Sequence, residues 1–329
     1  MPIRPAAALL RLFVLVASVV LLTSRLMLLA HEFGGHAAPA RLFGGQVTGW
    51  YLFLFAGGRV SYRLAGLGVG QRLLVSLGGI AVELLVGAVA FVVARRVRDR
   101  AVATFCLLCV GTVLVGHGAL YLARGVHYGF GDGALLSQLL GSARVIVVLA
   151  ASALAAAVAL AGGRRLAKLP AALLEGAPRR VAGATLLVFA GAGLFHGALA
   201  LSETRWFPDA TWVAVMEDSS VAGARAEVAR RVSEAKRRGE ALPSRDEQER
   251  MMEALERARR PWPLDPLLAI TVVAALALGV LRGAQESRAS RAAGGVATLL
   301  RWRTIGGVAA ALVVAMGLIL VLRPLGVPH

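Results

Sequence analysis

The chain of 329 residues contains no asparagine, so it has no N-glycosylation acceptor. It has two cysteines, Cys106 and Cys109, as a single C-x-x-C inside an apolar run. Without a second pair or a soluble redox setting, that motif reads as packing rather than as a metal or redox centre. No G-x-x-x-x-G-K-[ST] loop and no PDZ-like pattern occur, and no internal repeat aligns, which disfavours the repeat-built transporter folds. Acids are scarce, 19 against 36 bases for a net charge of +17. Residues 202–262 hold 12 of those acids and 12 of the bases, leaving only seven acids in the rest of the chain. An excess of bases can signal nucleic acid, but here the bases sit in short loops between apolar runs, so no nucleic-acid partner is expected.

Hydrophobic residues make up 57% of the sequence, and the mean hydropathy is +0.70. Apolar runs near 6–36, 71–94, 101–123, 145–162, 181–201, 264–281 and 304–322 approach or exceed the length that crosses a bilayer. The expected fold is an all-α polytopic membrane protein of about seven spans. The first run has Arg4 and Arg11 ahead of "LFVLVASVVLL" but no convincing small-x-small cleavage site, and it reads as a retained helix. Basic loops at 95–100, 164–180 and 282–303 alternate along the chain and are assigned to the cytoplasm. That leaves 37–70, 124–144, 202–263 and the carboxyl terminus outside.

Of the seven acids outside 202–262, Asp99, Glu175 and Glu286 fall in basic loops, and Asp265 suits the start of a helix. Glu32 and Glu83 lie within spans, where an acid is costly and a functional suspect, and Asp132 lies just beyond one. Glu32 belongs to "HEFGGH", which sets His31 and His36 five residues apart. On a regular α-helix that spacing turns the two side chains about 140° apart. One i→i+5 turn at Gly34-Gly35 would bring them back onto one face, and such π-bulges favour functional sites. The third span runs in the same direction as the first, so "GFGDG" after it returns Asp132 to the level of His31. Two imidazoles, a carboxylate and an open fourth position make a catalytic zinc arrangement, with Glu32 placed as general base on the metal-bound water. His117 and His127 are spare ligands, and His196 reads as an interhelical hydrogen-bonding residue. Arg25, an intramembrane cation, needs a partner, and Glu83 is the expected one.

"QVTGWYLFLFAGGRVSYRL" alternates around a glycine turn and reads as a β-hairpin over 46–63. It could hold an extended substrate by strand addition, or lie at the interface with Trp50, Tyr51 and Tyr62 as aromatic anchors. Residues 202–262 read as an extramembrane pair of charged helices, with Ser244 and Glu247 forming a capping box. The expected organisation is a core over 1–140, accessory spans over 141–201, the charged segment 202–262, and carboxyl-terminal spans over 263–329.

These residues resemble the site-2 protease family of intramembrane zinc metallopeptidases. "HEFGGHAAPARLFGG" is similar to its His-Glu motif, "SLGGIAVELLVGAV" to its next core helix, and "GFGDGALLSQLLG" to its Asp-Gly motif. The likeness covers about residues 20–140. It implies one Zn2+ per chain on His31, His36 and Asp132, with Glu32 as catalytic base, and a membrane-embedded or membrane-proximal protein or peptide as substrate. The expected location is the cytoplasmic (inner) membrane of a bacterium. In that core helix Ile80 stands in place of the family's Pro and Glu83 in place of its Asn, which is thought to assist substrate or oxyanion binding. Two other classes therefore stand beside the enzyme: a non-catalytic scaffold or regulator, and an ion transporter using Glu32, Glu83 and the histidines.

Overall fold

The computed structural model describes residues 5–174, 177–206, 219–239, 241–259, 263–289, 300 and 302–325. Seven helical segments are long and apolar enough to cross a membrane: Ala6–Leu42, Val69–Arg96, Ala101–Tyr128, Gly131–Leu173, Pro178–Trp206, Leu264–Ser287 and Trp302–Leu325. Each contains one of the seven apolar runs. Helix is the form these runs must take, since lipid offers backbone groups no hydrogen-bond partners.

The first segment is α1 (Pro5–Leu29), a π-helical stretch (Ala30–Ala37) and α2 (Ala38–Leu42). Strands β1 (Gln46–Leu52) and β2 (Gly58–Arg63) follow as an antiparallel hairpin with Trp50 opposite Val60 and an irregularity between Val47 and Gly49. Then come α3 (Val69–Arg96), α4 (Ala101–Tyr128), a 3₁₀ turn (Gly131–Gly133), α5 (Ala134–Leu140), α6 (Arg144–Leu166), α7 (Lys168–Leu173) and α8 (Pro178–Trp206). Helices α9 (Ser219–Arg238), α10 (Arg245–Arg259), α11 (Leu264–Ala289) and α12 (Trp302–Leu322) complete the chain.

Small residues set the spacing of the bundle. A Cβ on Gly111 of α4 would meet the Gly87 carbonyl and the Phe91 ring of α3 at 3.0 Å, so these helices pack backbone to backbone. Around α1 lies a core of Leu12, Leu15, Val16, Phe105, Leu108 and Leu166. On the outer surface of α8 and α12, Leu187, Leu194, Val313 and Val314 are exposed, as lipid-facing positions should be. Cys106 and Cys109 are free thiols packed in the α1 core, in accord with the packing reading.

At the membrane-end connections, Arg124 of α4 grips Asp265 of α11 through two bonds of 2.9 and 3.0 Å. Tyr128 accepts the backbone N–H of Leu264 at 2.9 Å. Asp265 thus opens a helix, as expected, and also ties it to α4. The capping box of α10 is present: Ser244 N–H donates to Glu247 at 2.7 Å and Glu247 N–H to Ser244 Oγ at 3.3 Å.

Two expectations shift. Strand β1 stops at Leu52 and β2 starts at Gly58, so Phe53–Gly57 form a connection longer than the tight glycine turn expected within 46–63. The charged segment begins later than its composition indicated, because α8 continues to Trp206 and buries Glu203. Glu175 and residues 290–299 and 301 of the last basic loop lie outside the described residues, as do 207–218 and 260–262.

Candidate metal centre

The stretch Ala30–Ala37 is π-helical, with the Ala38 N–H bonded to the Phe33 carbonyl five residues back. This wide turn absorbs the residue that a regular helix could not place. It brings the His31 and His36 rings to 5.0 Å between centroids. Its sequence permits this because Gly35 can press against α3. A Cβ on Gly35 would overlap Gly78 and Gly79, and one on Gly79 would overlap the His31 imidazole. Gly34 faces open space, with nothing within 4 Å of where its Cβ would stand.

Each imidazole is held from behind. His36 Nδ1 lies 2.7 Å from the Val75 carbonyl, and a carbonyl can only accept, so Nδ1 carries the proton. His31 Nδ1 is likewise 2.9 Å from Glu83 Oε1. In neutral imidazoles both Nε2 atoms are then lone-pair donors, which is how metal-binding histidines are oriented.

Those two Nε2 atoms face one carboxylate. His31 Nε2 lies 3.2 Å from Asp132 Oδ2, and His36 Nε2 lies 3.3 Å from Oδ1. His31, His36 and Asp132 form a group whose ligand atoms fall within 4.8 Å of one another, the one such group of three among the described residues. Gly131 sits in left-handed backbone at φ 52°, where glycine is favoured, and a Cβ there would strike the Tyr121 hydroxyl. Ser76 of α3 donates to the Asp132 carbonyl at 2.8 Å. The 3₁₀ turn is therefore clamped between α3 and α4.

The donors fit a divalent cation. Asp132 Oδ2 and Glu32 Oε2 are both buried without a hydrogen-bond partner. Two orphaned carboxylate oxygens beside two imidazole lone pairs repel one another unless a cation or protons stand between them. Two histidines and one carboxylate are a donor set that suits Zn2+. Glu32 is close enough for its charge to act on His31, His36 and Asp132, while a backbone bond from Val60 of β2 holds it from the hairpin side. Tyr62 on the same strand has its ring 6.2 Å from that of His36. Burial first, and then the charges of Asp132 and Glu32, push its phenol up to about 12, so it stays a neutral hydroxyl beside the site.

Other side chains fall differently from expectation. Glu83 does not pair with Arg25: its second oxygen accepts from His117 Nδ1 at 2.8 Å. Arg25 donates to the Phe53 carbonyl at 3.0 Å and to Ser24 Oγ at 2.7 Å, and the carboxylate acting on its charge is Glu203. The physical reason is that Glu83 faces inward between two imidazoles, whereas Arg25 faces the hairpin. His127 is buried with its ring 4.7 Å from that of Tyr128 and is not in the ligand group. His117 reaches the site through Glu83, and its ring stacks 6.0 Å from that of Tyr121. His196 faces Ser24 across helices at 3.5 Å.

Reading the sequence missed Glu203, whose signal was a lone acid ending the apolar run "GLFHGALALSE". Leu54 and Phe55 N–H both donate to it, Leu54 at 2.6 Å, and Ala56 N–H joins them at 3.1 Å. Trp50 donates to the Leu322 carbonyl at 3.1 Å, and Arg323 donates to the Tyr51 hydroxyl at 2.7 Å. The hairpin is thus pinned over the site by α1, α8 and the end of α12.

Because Glu83 holds the ring of His31 from behind rather than joining the candidate ligand group, Glu83→Ala should weaken any zinc binding by that group about 10–100-fold without abolishing it. His117→Ala should weaken it less. Zinc affinity measured by competition with a chromophoric chelator checks both, and an unchanged affinity in Glu83→Ala would show that His31 needs no such support.

No protein-family model, curated protein or solved structure matches the chain.

Proposed function

We propose that the chain is a membrane-embedded zinc metallopeptidase that cleaves membrane-embedded or membrane-proximal protein segments. The observation that supports it best is the pair of imidazoles whose Nδ1 atoms are tied outward while both Nε2 atoms face Asp132. His31, His36 and Asp132 would hold the ion. Bound zinc would acidify a water and polarise the scissile carbonyl. Glu32, with Oε2 unpartnered, would take the proton of that water and pass it to the departing amine. Val60 N–H keeps the carboxylate aimed, so the same strand that orients the base could align an extended substrate by backbone pairing. Seven apolar segments support a membrane as the setting, the alternation of basic loops supports an orientation with those loops in the cytoplasm, and the reading takes the membrane to be the cytoplasmic one of a bacterium.

A second reading, a metal-holding but non-catalytic relative, is favoured by one observation. Glu83 stands where the resembled family has its Asn, and both of its oxygens are engaged by His31 and His117. The two readings separate in one experiment. Detergent-purified wild type is expected to hold about one zinc per chain, lost in His36→Ala and Asp132→Ala. Glu32→Gln should keep the zinc while cleaving a fluorescently labelled unfolded protein about 10²–10⁴ times more slowly than wild type. No cleavage by zinc-loaded wild type would favour the non-catalytic reading, and a folded, metal-replete wild type without zinc would remove both.

A further inference from the structure

At the opposite end of the bundle from the metal centre lies a second cavity of about 530 Å³, between the end of α3, the start of α4, and the α6–α7 junction. Gly79 and Arg95 are sixteen residues apart on α3, which places the two sites about 24 Å from one another along that helix. Arg95, Arg98, Arg165 and Lys168 rim the cavity, and Phe105 and Leu108 help to form its floor. No acid lines it. Its volume falls within the range of about 300–1,000 Å³ typical of small-molecule sites.

Three of the four rim charges are not paired within the fold; the fourth, Lys168, lies close enough for its charge to act on Glu286. Among the described residues, the side chains of Arg95, Arg98 and Arg165 make no hydrogen bond or salt bridge. Glu286 of α11 is taken by the neighbouring Arg164, at 2.8 and 2.9 Å. Phe105 and Leu108 are buried, whereas all four bases are exposed. Cations clustered over an apolar floor at the end of membrane helices ask for a ligand with the opposite arrangement: an anionic head and a hydrocarbon body. This is also the end that the positive-inside rule assigns to the cytoplasm, where the leaflet carries anionic lipid.

We propose that this cavity is a binding site for one anionic phospholipid, its phosphate held by Arg98, Arg165 and their neighbours and its chain seated over Phe105 and Leu108. Membrane lipid, rather than a soluble phosphate, is the occupant because the floor is apolar and the site opens at the level where headgroups meet hydrocarbon. The inference does not depend on the metallopeptidase reading.

The test is native mass spectrometry of the full chain released from nanodiscs of phosphatidylglycerol and phosphatidylcholine in equal amounts. Wild type should retain one phosphatidylglycerol in roughly tenfold preference to phosphatidylcholine; Arg98→Gln alone should lower that preference roughly fivefold, and Arg98→Gln with Arg165→Gln should bring it close to parity. Ala172→Phe, which leaves every charge in place but fills the cavity from its lining, should lower retention as well. Arg179→Gln with Arg180→Gln removes two charges from the same end of the bundle outside the cavity and should change nothing. Equal retention of the two lipids by wild type would overturn the proposal. So would an equal loss in the Arg179/Arg180 control, unchanged retention in Ala172→Phe, or displacement of the lipid by millimolar inorganic phosphate alone. Variants are compared only where their thermal melts match wild type; Ala172→Phe and the charge pair alter different parts of the site, so either carries the test by itself.

Discussion

Gly35→Ala and Gly79→Ala are each expected to yield helical protein that does not hold the proposed zinc ion, while Gly34→Ala holds as much as wild type. The three glycines look alike in sequence, but their surroundings differ. A methyl added at Gly79 would occupy the space of the His31 ring, and one added at Gly35 would press into the Gly78-Gly79 backbone. His31 cannot rotate away without leaving Glu83, to which it is bonded at 2.9 Å. Helix α3 and the π-helical turn must therefore separate, at a cost of about 1–3 kcal/mol for overpacking. Folding can absorb that, but a metal centre whose ligand distances must hold within about 0.2 Å cannot. At Gly34 no atom stands within 4 Å, so a methyl meets nothing. Zinc per chain by elemental analysis, with helix content by circular dichroism, reads the result. Full zinc in Gly79→Ala would mean that His31 is not a ligand in the position described.

Glu203→Gln is expected to be the most destabilising single change outside the site, by about 3–5 kcal/mol, since it removes a buried partner from groups that depend on its charge. Leu54, Phe55 and Ala56 present three N–H groups to this carboxylate. Arg323 lies 3.6 Å from Oε1, and Arg25 feels its charge from the far side of the connection. A glutamine has one acceptor oxygen, and its amide N–H₂ would confront N–H groups already pointing inward. The hairpin connection Phe53–Gly57 should loosen first. Limited proteolysis there, together with a lower melting temperature, is the measurement; an unchanged melt would mean that Arg25 and Arg323 hold the hairpin without Glu203. Since β2 also aims Glu32 through Val60, cleavage activity should fall with the loosening even though zinc stays bound.

The seven spans were legible because hydropathy decides them before any contact forms: a run of some twenty apolar residues in lipid satisfies its backbone as helix whatever its neighbours are. The hairpin was legible from alternation and its glycine turn. The grouping of His31, His36 and Asp132 followed from membrane depth, and the five-residue His spacing itself implied the wide turn that Ala30–Ala37 adopts. What sequence could not decide was which group lies against which at equal depth. Arg25 and Glu83 looked like partners by charge alone, yet the rotation of α1 and α3 about their axes gives Glu83 to His31 and His117, and Arg25 to Phe53. The same rotation leaves no space for a Cβ at Gly35 and Gly79 while leaving Gly34 open. The packing of α8 sets Glu203, 148 residues from Phe55 in sequence, beneath the hairpin connection. Burial along a helix is written in its own residues; the direction in which a buried polar side chain finds its partner is a property of the packed bundle, because that choice depends on groups contributed by other helices.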